Sequence, residues 1–130
     1  VELQMYRGKV VKLAEITLAP DGALTGDTKT DPKSVMQFKE GTFFLRHAAI
    51  VGAVPTLDVE VHTKDPAPGE HWYKVFAFSP ITTAPAGGEK KDVPGAAAEG
   101  VTLGENICIT WDKKTADVGT TFTVYAVLKI

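Results

Sequence analysis

The stretch TLDVEVHT, residues 56–63, decides the fold class. Leu57, Val59 and Val61 fall on one parity and Asp58, Glu60 and His62 on the other, which is the period-two pattern of a half-buried antiparallel strand. The alternation returns at residues 122–130, FTVYAVLKI, with Phe122, Val124, Ala126, Leu128 and Ile130 set against Thr123, Tyr125, Val127 and Lys129. That second face is only half polar, so another element or another subunit is expected to cover it. Residues 105–112, ENICITWD, set Ile107, Ile109 and Trp111 against Asn106, Cys108, Thr110 and Asp112. By contrast HWYKVFAF, residues 71–78, is apolar on both parities, which predicts a strand buried on both sides.

Turn signals separate these segments. KVVKLAEITLA, residues 9–19, could form a helix, but its β-branched content and the Pro20-Asp21-Gly22 turn after it favour a strand. SVMQFKE then leads through a turn signal at Glu40-Gly41-Thr42 into TFFLRHAAIV. KDPAPGE, residues 64–70, is expected to close a hairpin. Seven or eight strands so spaced predict an all-β fold: a single-domain antiparallel β-sandwich of jelly-roll type over residues 1–130. Residues 79–100, SPITTAPAGGEKKDVPGAAAEG, have almost nothing to bury and predict a long loop or arm. Residues 1–9 are a candidate N-terminal arm.

The totals exclude several roles. A chain of 130 residues fits one domain. Fourteen Lys and Arg against sixteen Asp and Glu leave a formal charge of −2, too weak a positive field to gather nucleic acid by counterion release. The single cysteine, Cys108, cannot form an internal disulfide, and its apolar setting predicts a buried, inert thiol. No apolar run approaches the roughly eighteen residues that span a bilayer, and the first residues show no signal-peptide core, so a soluble chain is expected.

Asp58, Glu60 and His62 share a face, and His71 could approach across the hairpin, but no ligand spacing supports a metal site and solvated charges are what alternation predicts. Asp58 and Glu60 on an open face would both stay ionised, unlike a working acid/base pair. Only two serines occur, Ser34 and Ser79, neither in a nucleophile elbow. His47, beside Arg46, reads as a half-buried strand residue, and Gly87-Gly88 is not followed by the helix that a phosphate cradle needs. Neither an enzyme activity nor a cofactor or metal is therefore expected. Trp72, Tyr73, Trp111 and Tyr125 could offer sugars a stacking platform; Trp111 alternates with core isoleucines, so Trp72 is the ring expected to be exposed.

Taken together, residues 55–78, 103–112 and 119–130 resemble small structural proteins of tailed bacteriophages. In those proteins a "PTLDV-V" strand, a loop, a "WY-V--F" strand, a long connection, a "LG--I-I-W" strand and a final "FTV-AVLK" strand follow in this order. The KDPAPGE loop departs from the Ser-, Asp- and Gly-rich hairpin found there. The resemblance implies a virion component, assembled in the bacterial cytoplasm: a head decoration or cement protein that binds the major capsid protein and itself, as a homotrimer, with residues 1–9 and 79–100 as clamps. A neck or tail component is the next expectation, and a carbohydrate-binding module or a small metal-dependent hydrolase would belong to other classes.

Overall fold

The computed structural model describes residues 9–35, 40–64, 69, 71–82, 85–93 and 106–129. They hold nine strands: β1 (Lys9–Leu18), β2 (Thr25–Asp27), β3 (Lys33–Ser34), β4 (Glu40–His47), β5 (Asp58–Lys64), β6 (Trp72–Ala77), β7 (Gly87–Val93), β8 (Asn106–Asp112) and β9 (Thr120–Lys129). All strand pairings are antiparallel. One sheet has four strands in the order β1-β9-β4-β7, and the other has five, ordered β2-β8-β5-β6 with β3 also on β8. Because β2 and β3 pair with successive parts of β8, they act as one interrupted edge strand, and the two sheets then follow the jelly-roll order. Among the described residues no helix is long and apolar enough to cross a membrane.

Alternation builds the core directly. Phe122, Val124, Ala126 and Leu128 of β9 are fully buried, as are Val61 of β5 and Ile107 and Ile109 of β8. All belong to one apolar cluster that also takes in Phe43 and Leu45 of β4. Each large aliphatic or aromatic side chain so buried contributes roughly 1.5–3 kcal/mol. Phe76 meets Phe43 and Phe78 edge-on, with ring centroids 5.3 and 5.1 Å apart, so this sandwich is held by interlocked aromatics as well as by aliphatic burial.

Four sequence expectations need correction. Residues 79–100 are not a single arm, because Gly87–Val93 pairs along the whole of β4 from His47 to Gly41. This edge strand escapes a pattern search since only Val93 in it is buried; Ser79 N and Oγ donate to the Glu89 carboxylate, and Leu57 and Ile81 exchange backbone bonds of 2.9 Å. Residues 83–84 and 94–100 of that stretch lie outside the described residues. Second, Lys9 is the first residue of β1, so of the candidate arm only residues 1–8 lie outside the described set. Third, Glu40-Gly41-Thr42 is no turn but the start of β4, with Gly41 opposite Leu128 and Val93.

Finally, HWYKVFAF is not buried on both faces. Its strand β6 ends the five-stranded sheet, and the register jumps from Val61↔Phe76 to His62↔Lys74. Val75 is the extra residue of a bulge, which turns consecutive Val75 and Phe76 both toward apolar surroundings. A matching bulge between Lys12 and Ala14 in β1 lets Leu13 and Ala14 both be buried.

Candidate functional site

The outer face of the five-stranded sheet carries Asp58, Glu60 and His62, as alternation predicts. They do not converge on a point. Asp58 lies opposite Asp112 in the β5–β8 register, and Lys114 bridges the two carboxylates at 3.1 and 3.3 Å. The backbone N–H of Lys114, ahead of its ammonium, holds the Asp112 carboxyl below its usual range, and Asp58 foremost raises Lys114. Two positions along, His62 Nε2 donates to Glu60 Oε1 at 2.9 Å while its Nδ1 is buried with no partner among the described residues.

This face is less wet than expected. The His62 side chain is 18% exposed, and Cys108, opposite it on β8, is buried at 2%. His71 lies before β6, beyond the Lys64↔Trp72 pair that begins the hairpin register, and is not brought to His62. Among the described residues no group of three or more His, Cys, Asp or Glu side chains is placed to hold a metal ion.

The aromatic candidates also rearrange. Trp111 is half-buried against the core, edge-on to Phe122 at 5.8 Å. A Cβ on Gly26, its cross-strand neighbour, would strike the Trp111 ring, so glycine there lets the indole lie flat across β2. Trp72, the ring expected to be exposed, is half-buried, and its neighbour Tyr73 is exposed at 55%. His47, at the end of β4, donates Nδ1–H to the Ala48 carbonyl at 2.8 Å, fitting its reading as a strand residue. Ser34 is exposed in β3.

No family model matches the chain, and no curated protein does either. Among solved structures, the Yersinia pseudotuberculosis-derived mitogen is similar over 94% of this chain and 86% of that one, at 8% identity and a TM-score of 0.42. A likeness of that size carries no argument about function.

The outer face of the four-stranded sheet is the stronger candidate. Residues directly opposite one another in antiparallel strands share a face, so register assembles three outward rows: Thr123, Arg46 and Gly88; Lys12, Tyr125, Phe44 and Lys90; Val10, Val127, Thr42 and Asp92. Val10 is 70% exposed. Together with Phe44, Tyr125 and Val127 it lines a groove of about 470 Å³ that reaches Arg46, Gly88 and Lys90. A more polar hollow of about 570 Å³ adjoins it, lined by Arg46, His47, Thr121 and Thr123.

Most charges around this face are internally matched. On it Lys12 pairs with Glu15 at 2.7 Å and Lys129 with Glu40 at 3.8 Å, while the Asp92 carboxylate accepts only the neutral Thr42 hydroxyl; the Lys91–Glu89 pair at 3.6 Å has the inward parity of Phe43 and Leu45. Glu15 foremost raises Lys12, and Lys12 lowers Glu15. Arg46 and Lys90 have no carboxylate partner among the described residues. Sequence analysis found half of this site in the outer face of FTVYAVLKI. It missed Val10 and Phe44, whose only signal would have been the β1–β9–β4 register.

Proposed function

We propose that the protein is a structural component of a tailed-phage virion, a head decoration or cement protein that binds neighbouring major capsid subunits and acts without catalysis. Strands β5, β6, β8 and β9 form at segments that carry the phage resemblance, with β7 inside the stretch it gives as a connection; the virion reading takes its support from that resemblance. The observation that carries the reading is the groove of Val10, Phe44, Tyr125 and Val127 on an outer sheet face. An apolar strip on one face of a sandwich otherwise edged with ion pairs is what adhesion to another protein requires.

A homotrimer at a local three-fold position would present three such faces to the lattice, and avidity would then raise the affinity of a shallow contact. A sugar platform fits less well, because Trp111 is packed against the core and Trp72 is half-buried. The test is co-sedimentation of the purified protein with phage capsids. Binding to expanded capsids and not to immature proheads is the expected result; equal binding to neither, with the protein monomeric, rejects the proposal.

A further inference from the structure

We propose that the groove on the four-stranded sheet receives an extended acidic segment of a partner protein, with apolar side chains over Val10 and Val127 and carboxylates at Arg46 and Lys90. This rests on the docking reading for the kind of ligand and adds its chemistry and direction. Three observations carry it. The groove floor joins the aliphatic Val10 and Val127 to the aromatic Phe44 and Tyr125, a rounded apolar surface that suits side chains better than flat sugar rings. Its far end holds two cations with no carboxylate partner among the described residues, against the single carboxylate of Asp92 in the next outward row, which bonds the Thr42 hydroxyl; Glu89, of inward parity, binds Ser79 and lies near Lys91. An exposed cation pair beside an apolar floor selects an anionic partner and rejects a basic one.

The third observation is Gly88. A Cβ there would come within 2.8 Å of the Leu45 carbonyl oxygen, so the close approach of β7 to β4 demands glycine. As a result no side chain stands between Arg46 and the sheet edge, and the groove opens outward at its charged end. The groove crosses all four strands. At about 4.8 Å between strands and about 3.4 Å per extended residue, it accommodates roughly four residues of a partner.

Fluorescence anisotropy with a short labelled peptide centred on Leu-Val-Asp-Glu, and a control carrying Lys at both acidic positions, tests this on the full chain. The acidic peptide is expected to bind at least about tenfold more tightly, with the difference shrinking in high salt. The double variant Arg46→Glu/Lys90→Glu, at exposed positions that leave the core untouched, is expected to reverse the preference. Equal affinity for both peptides, or a preference unchanged by charge reversal, overturns the inference. So does tighter binding of uncharged oligosaccharides than of the acidic peptide. Capsid binding separates the two proposals. Acidic-peptide binding without capsid binding leaves this inference standing and removes the virion reading; capsid binding that the charge-reversed variant retains in full removes the inference and leaves the virion reading.

Discussion

On the outer face of the five-stranded sheet, Asp58, Glu60, His62, Asp112 and Lys114 find partners among themselves, whereas on the four-stranded sheet Arg46 and Lys90, beside Val10, Phe44, Tyr125 and Val127, have no carboxylate partner among the described residues. Both faces come from strands with the same alternation. What differs is the cross-strand neighbour. Register sets Asp58 against Asp112 with a lysine above them, so that face is electrostatically closed. On the other sheet it sets Tyr125 against Phe44 and Val127 against Val10, so apolar groups accumulate where water should be. A face that satisfies itself has little to offer a partner, and a face that does not has a reason to acquire one.

The largest effect expected from this contrast comes from placing the same charge on each face. Cys108→Asp puts a carboxylate at a position buried to 2% beside His62, and an ion lodged there without a dedicated partner costs roughly 3–5 kcal/mol. Thr123→Asp, half-buried on the other outer face between Arg46 and Glu15 in the register, is expected to change stability by no more than about 1 kcal/mol, since attraction to Arg46 offsets repulsion from Glu15. Urea denaturation of both variants measures the difference. Equal losses would mean that the two faces are equally covered.

Next in size is an effect on binding. Val127→Glu leaves β9's inward residues untouched but puts a carboxylate on the groove floor, opposed to both the apolar and the acidic side chains of the segment. It is expected to weaken capsid or acidic-peptide binding at least about tenfold, as truncating or charging the centre of an interface does, with a melting temperature close to that of the unmodified protein. A charge change on the other face, Glu60→Lys, is expected to leave binding unaltered. If Glu60→Lys weakens binding as much, the docking face has been assigned to the wrong sheet.

How much of this was legible in the sequence follows from what each strand has to bury. β5, β8 and β9 lie inside their sheets, so each must turn every second residue to the core, and Leu57, Ile107, Ile109 and the Phe122–Leu128 series announce them. β7 needs only one flank and buries Val93 alone, so GGEKKDV carries no periodic signal and reads as loop. β6 misleads for the opposite reason: its bulge breaks the period and imitates a doubly buried strand. At the candidate site, the half-polar outer face of β9 was visible because it lies within one segment. Val10 and Phe44 become its neighbours only through pairings across more than a hundred and about eighty positions of chain respectively, and a single sequence does not encode those registers locally.

The smallest expected effect probes how the five-stranded sheet closes its own face. Lys114→Met removes the ammonium between Asp58 and Asp112, leaving two carboxylates directly opposite each other, an arrangement that destabilises a strand pair. Asp112 has a depressed folded-state pKa, so its contribution is present above its ordinary 3.8 and is lost as pH falls through the lower folded value. Lys114 has a raised one, so its contribution is complete below its ordinary 10.5 and is lost as pH rises through the higher folded value. The variant is therefore expected to melt slightly below the unmodified protein across the interval between those limits, with the gap closing at both ends. Asp112 itself should keep much of its depression, because its first cause is the backbone N–H of residue 114, 2.9 Å away, which methionine retains. Melting curves from pH 3 to pH 11 decide it. A gap that persists undiminished at acid pH would show that the loss does not come from the two carboxylates, and that the aspartates do not need Lys114 to neutralise them.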